Sequence, residues 1–120
     1  MIDPESRDWF HLRQMLRMIA LIDQRLDNFD RVGFLADRNE IDLTAFRLQV
    51  IGEAVRKLSS GVKDAHPHIA WATIVAMRNF IAHDYEGIEI ERIWRVATDY
   101  LSPLSEVCRM ELGKEGMRDL

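Results

Sequence analysis

Between residues 6 and 29 the apolar side chains Trp9, Leu12, Leu16, Ile19, Ile22, Leu26 and Phe29 recur three or four positions apart. That spacing predicts one long helix with a single apolar face. Asp8, Arg13, Arg17 and Asp27 fall on its outward side. The pattern breaks between Asp30 and Glu40, where Val32-Gly33-Phe34-Leu35 forms a short apolar plug suited to a brief turn of helix. A second helix is predicted over residues 42–59, with Ala45, Leu48, Ile51, Val55 and Leu58 inward and Gly61 as a left-handed terminator. Pro67 closes the connector by pushing the residue before it out of helical geometry. A third helix spans residues 69–84, with Trp71, Ile74, Val75, Met77, Phe80 and Ile81 inward and Gly87 marking its end. The last long segment, residues 89–109, carries Ile90, Ile93, Trp94, Ala97, Leu101, Leu104 and Cys108 at helical spacing. Pro103 should kink it, and the tail after Gly113 should fray. No segment alternates like a strand, and there are no internal repeats. The expected fold is all-α, an antiparallel four-helix bundle with a possible short extra helix after the first long one.

Length changes this picture in one respect. At 120 residues the chain suits a single helical domain over residues 1–120. A domain so short hides only about two-thirds of the surface its unfolded chain exposes, so a large ligand cleft is hard to carve from one subunit. A site shared between two copies is the natural solution. The charged opening, with Pro4, and the lack of any long apolar run predict neither a signal peptide nor a membrane span, hence a cytoplasmic protein. The single cysteine, Cys108, offers no disulfide partner and reads as a small buried hydrophobe. A formal charge of −4 argues against non-specific coating of nucleic acid but leaves room for a local basic groove. Most basic residues are arginine, whose planar guanidinium grips phosphate bidentately.

Candidate chemistry narrows quickly. The Glu-x-x-His pair of a di-iron bundle precedes none of His11, His66, His68 or His83, and glycine-rich phosphate loops are absent, so no metal and no cofactor are expected. His66-Pro67-His68 reads as a pair of solvated loop histidines. What remains is Arg78-Asn79-Phe80-Ile81-Ala82-His83-Asp84-Tyr85. On a helix Asn79 and His83 share a face, and Arg78 lies about 100° to the side of Asn79. A histidine with an ordinary pKa of about 6.5 can take or give a proton near neutrality, as attack by an RNA 2′-hydroxyl demands. Arginine can hold the phosphate and stabilise the charge that builds on it. Asn79 could orient the phosphate or fix the imidazole tautomer. One motif histidine per chain, His83, cannot easily serve as both base and acid, a second reason to expect two subunits at one cleft. By spacing alone, the same residues more readily describe a histidine complementing a helix dipole and an arginine paired with a surface carboxylate.

The wider sequence resembles the HepT-like branch of the HEPN domains in four blocks: Phe34-Leu35-Ala36-Asp37-Arg38, Ile51-Gly52-Glu53-Ala54, Pro67-x-Ile69-x-Trp71, and Met77-Arg78-Asn79 followed by Ala82-His83-x-Tyr85. The last matches the family's Arg-x4-His-x-Tyr motif. The resemblance implies a homodimer of helical bundles in which Arg78 and His83, with Asn79 as accessory, line a metal-independent ribonuclease cleft that cuts RNA. It also implies a toxin neutralised by a cognate minimal nucleotidyltransferase antitoxin, which transfers AMP to Tyr85. Glu53 reads as a packing or hydrogen-bonding residue. Where the family places Asp or Asn after the motif's glycine, this chain has Glu89, a poorer helix cap. The alternative function is a non-enzymatic helical adaptor that binds a nucleotidyltransferase and nucleotide.

Overall fold

A computed structural model of the chain describes residues 7–118, with side chains through residue 114. It is all-α among the described residues: α1 (Asp8–Leu26), α2 (Arg31–Leu35), α3 (Arg38–Lys57), α4 (Ser60–Ala65), α5 (Trp71–Asp84), a 3₁₀ turn (Tyr85–Gly87), α6 (Ile90–Asp99) and α7 (Leu101–Arg118). Helix α3 lies at the centre and packs against both α1 and α5, while α7 closes onto α1 and α6 onto α2 and α3. Four long layers, α1, α3, α5 and α6–α7, make the bundle, and α2 is the short extra helix anticipated from the apolar plug.

The core follows the helical stripes. Leu12, Met15, Ile19 and Ile22 enter from α1, Ile41, Ala45, Leu48, Ile51 and Val55 from α3, and Ile74, Met77 and Ile81 from α5. The final helices add Ile93, Val96, Leu101, Leu104 and Cys108. Each large aliphatic side chain removed from water contributes about 1.5–3 kcal/mol, so this stripe, rather than helix propensity, fixes the arrangement. Phe34 is fully buried and meets Trp94 with ring centroids 5.1 Å apart, which pins α2 onto α6. Caps set the helix starts: Asp30 accepts from Gly33 N at 2.7 Å and Asp37 accepts from Glu40 N at 3.1 Å. The Asp37 cap starts α3 four residues before the apolar pattern does. Cys108 is buried as expected, and burial pushes its thiol up to about 12.

Several expectations fail for local reasons. Ser6, where the pattern begins the first helix, lies outside the described residues. Asp8 does not look outward: it is fully buried and accepts hydrogen bonds from Ser59 N (2.9 Å) and Ser59 Oγ (2.6 Å), joining the start of α1 to the α3–α4 junction. Gly61 does not terminate a helix in the left-handed region, since no glycine has positive φ among the described residues; it sits inside α4, which Ser59 caps. His66 is buried, not solvated, with its Nε2 2.6 Å from Glu111 Oε1 on α7. His68 alone of that pair is exposed. Pro103 makes no kink, because the chain turns at Tyr100 instead, leaving the proline in the first turn of α7, where an absent N–H costs nothing. Helix α7 continues past Gly113 to Arg118 rather than fraying there. Phe80 points away from the core and is 45% exposed.

Candidate active site

The site begins with a close approach of two helices. Gly52 of α3 faces Arg78 of α5 so tightly that a Cβ on Gly52 would stand 2.3 Å from the Arg78 Cβ and 3.1 Å from the Ile74 carbonyl oxygen. Glycine is therefore required at this crossing. Its successor Glu53 reaches the arginine, with Arg78 Nε 3.0 Å from Glu53 Oε2, an ion pair not aligned as a hydrogen bond. Glu53 also accepts from Arg56 Nη2 at 2.6 Å and lies 3.9 Å from Lys57 Nζ. The hydrogen bond from Arg56, helped by the charges of Arg56, Arg78 and Lys57, outweighs the opposing effect of burial and holds its carboxyl below the usual carboxylate range.

Arg78 is thus anchored at two points. Its Nη1 donates to Asn79 Oδ1 at 2.8 Å, and only 24% of its side chain is exposed. Asn79 therefore engages the guanidinium rather than the imidazole of His83. His83 lies in the last turn of α5, exposed, and makes no hydrogen bond or ion pair among the described residues. Five residues of helix separate Arg78 and His83, about 7.5 Å along the axis and about 140° around it. The two groups of one chain flank an edge of α5 instead of converging on a point.

Tyr85 is placed by the end of the helix. Asp84 leaves helical geometry (φ −152°, ψ 49°), and Tyr85 opens the 3₁₀ turn that follows. Gly87 lets the chain fold back over Asp84, since a Cβ there would meet the Asp84 carboxylate at 2.6 Å. The Tyr85 hydroxyl donates to Asp42 Oδ1, and the Arg38 guanidinium lies over its ring, 5.2 Å from the centroid. Arg38 Nε also contacts Asp42 Oδ1 at 3.1 Å. Burial, then the bond to Asp42, pushes the hydroxyl up to about 12.

Two shallow hollows along the outer edge of α3 lead from Arg78 to Tyr85, and His83 lines neither. One, of 270 Å³, is lined by Gln14, Phe46, Gln49, Val50, Glu53, Lys57 and Arg78. The other, of 200 Å³, runs from Phe46 and Gln49 to Asp42, Ile81 and Tyr85. Phe46 stands between them, 62% exposed. Arg38, Asp42 and Phe46 have no site role in the sequence reading, although Arg38 closes one of its four blocks. Arg38 and Asp42 are visible in sequence as an i,i+4 ion pair, but their tie to Tyr85 spans 43 positions and has no local signal. Glu53 does take the hydrogen-bonding role expected of it. At Glu89 no side-chain cap forms on α6, in line with the weak capping residue there.

Comparisons with known proteins now bear on this arrangement. The family model described as "Ribonuclease HepT-like" matches residues 15–111, which include every residue of the Arg78–Tyr85 run. A protein of Thermococcus cleftensis named probable ribonuclease HepT is 26% identical over 94 residues, covering 78% of this chain and 86% of that protein. A protein named as an RNase in Caldanaerobacter subterraneus is 25% identical over 105 residues, covering 88% and 94%. A Methanocaldococcus jannaschii protein named as both a gamma-glutamylcyclotransferase and an RNase is 25% identical over 96 residues, 80% of this chain and 43% of its own length. No solved structure matches. With most of its length matched by the family model, the chain belongs to the HepT-like ribonuclease family.

Proposed function

We propose that the chain is a metal-independent endoribonuclease, the toxin of a toxin–antitoxin pair, acting in the cytoplasm as a homodimer with Arg78 and His83 as its catalytic residues. The observation that carries this reading is the contrast within α5: Arg78 is held by Glu53 and Asn79, while His83, one turn and a half further on, is exposed and unengaged. An anchored cation suits a fixed phosphate, and an unengaged imidazole suits proton transfer. Neutral His83 takes the proton of the 2′-hydroxyl, whose oxygen attacks the adjacent phosphorus. The bond from phosphorus to the 5′-oxygen breaks, and that oxygen leaves with a proton from the partner subunit's His83. The separation of about 140° between Arg78 and His83 on one helix favours a cleft completed by a second copy.

Tyr85 is the off switch of this reading. A minimal nucleotidyltransferase antitoxin would supply the nucleotide. The Tyr85 oxygen attacks the α-phosphorus of ATP, pyrophosphate departs, and the Asp42 carboxylate that already accepts the hydroxyl hydrogen takes the proton. The bulky anion then added beside the cleft repels RNA. The test is paired expression with and without a minimal nucleotidyltransferase, the class of partner this reading requires. Expression alone should arrest growth unless Arg78 or His83 is replaced by alanine, and co-expression should add AMP-sized mass to Tyr85. Complex formation without modification, growth arrest or RNA cleavage would instead leave the helical adaptor.

A further inference from the structure

Around α5 the exposed positions do not end at His83. Phe80 lies three residues earlier, about 60° further round the helix from His83 and on the side away from Arg78. It is 45% exposed, although its place in an apolar stretch predicts burial. Across from it on α6, the Arg92 guanidinium lies over the Phe80 ring, 5.2 Å from the centroid. Arg92, Arg95 and Tyr100 of the α6 side, with Thr73, Ala76, Met77 and Phe80 of α5, line a hollow of 240 Å³. Neither arginine forms an ion pair among the described residues; of the nearby acids, Glu91 pairs with Arg31 and Asp99 accepts from the Thr98 hydroxyl, while Glu89, three residues before Arg92, caps α6 with no side-chain hydrogen bond.

We infer that this hollow is a nucleotide subsite for single-stranded RNA, in which a base stacks on Phe80 and the adjoining phosphate is held by Arg92 and Arg95. The inference rests on the ribonuclease reading above and extends it beyond the scissile phosphate. An aromatic face beside a pair of cations is the combination that binds single strands with little sequence preference, since every base has a stacking face and every linkage a charge. In a chain of net charge −4 two arginines free of ion pairs beside an exposed aromatic ring are a local exception, and an anionic ligand complements them. Its position sets the register. With the scissile linkage at the Arg78–His83 edge, the strand continues over His83 onto Phe80, so the residue flanking the cut is the one stacked.

The experiment is binding of a short fluorescent oligoribonucleotide to the His83→Ala protein, which holds RNA without cutting it, against the same protein carrying Phe80→Ala, Phe80→Trp, or Arg92→Gln with Arg95→Gln. Circular dichroism first confirms that each variant is folded. Phe80→Ala should weaken binding about tenfold and Phe80→Trp should restore it. The double arginine variant should flatten the dependence of log affinity on log salt by about one per phosphate contact removed. Unchanged affinity in Phe80→Ala overturns the subsite, as does a change in its sedimentation mass, which would make the patch a subunit surface. Wild-type protein that neither cuts nor binds RNA removes the ribonuclease reading and the subsite together. RNA cleavage by wild type with indifferent Phe80 and arginine variants removes the subsite alone.

Discussion

Gly52 and Arg78 meet at the crossing of α3 and α5 with no room for a methyl group between them: a Cβ on Gly52 would lie 2.3 Å from the Arg78 Cβ. The next residue, Glu53, then takes the guanidinium it has been brought beside. One missing methyl therefore sets both the helix spacing and the position of the candidate phosphate-binding group.

Gly52→Ala tests this directly. Alanine gains up to about 1 kcal/mol of helix propensity, but the collision is with a Cβ and a carbonyl oxygen rather than the end of a flexible chain, and forcing apart packed helices costs about 1–3 kcal/mol. The variant should melt several degrees lower, and any RNA cleavage should fall more than the stability loss explains. A melting temperature at or above wild type would mean that the helices separate freely.

Tyr85 ionises late because it is partly buried and bonded to Asp42. Titration by ultraviolet absorbance, with Tyr85→Phe subtracted to remove Tyr100, should place it near 12. Asp42→Asn should bring it down. As the folded value lies above the ordinary 10, the stabilisation from the neutral phenol is complete below pH 10 and is lost as pH rises towards 12. A Tyr85 that titrates at 10 in both proteins contradicts the contact.

His66 and Glu111 form a buried contact, 7% and 2% exposed, with Lys114 Nζ also 3.1 Å from Glu111 Oε1. His66→Leu should destabilise by about 1–3 kcal/mol because it removes one of the two groups that hold the buried Glu111 and leaves Lys114 alone, whereas replacing both His66 and Glu111 with leucine should be closer to neutral. Burial alone would raise the Glu111 carboxyl, yet the hydrogen bonds from His66 and Lys114 outweigh it and hold the group below its ordinary 4.5. Its contribution is thus present above pH 4.5 and lost as pH falls through the folded value. Glu111→Gln should flatten the acid limb of a stability-against-pH curve; an unchanged limb would assign acid sensitivity elsewhere.

Asp8 ties α1 to Ser59 through two accepted hydrogen bonds. Asp8→Ala leaves the part-buried Ser59 donors without their partner and should cost about 1 kcal/mol, read as a lower denaturant midpoint with unchanged slope. A neutral result would assign the junction to apolar packing alone.

The fold was legible where one helix decides its own face. The stripes Ala45-Leu48-Ile51-Val55-Leu58 and Leu12-Ile19-Ile22 are buried as periodicity requires, and the plug around Phe34 forms α2. Periodicity does not say what lies opposite a given turn. Asp8 and His66 look solvated in sequence and are buried only because Ser59 and Glu111, 51 and 45 positions away, meet them. Phe80 is apolar yet outward, since α6 leaves a hollow over it instead of closing on it. In the candidate site, sequence located the α5 run and its helix end. The partners that hold those residues, Gly52 and Glu53 for Arg78 and Asp42 and Arg38 for Tyr85, come from another helix and required coordinates.

The central claim is most directly measured by cleavage of RNA in excess EDTA, using protein whose intact mass shows Tyr85 unmodified. Wild type should cut; His83→Ala should lose at least about a hundredfold in kcat/KM for want of proton transfer, and Arg78→Ala a comparable factor for want of charge stabilisation. Equal cleavage by wild type and His83→Ala, or none by any of them, would contradict the account.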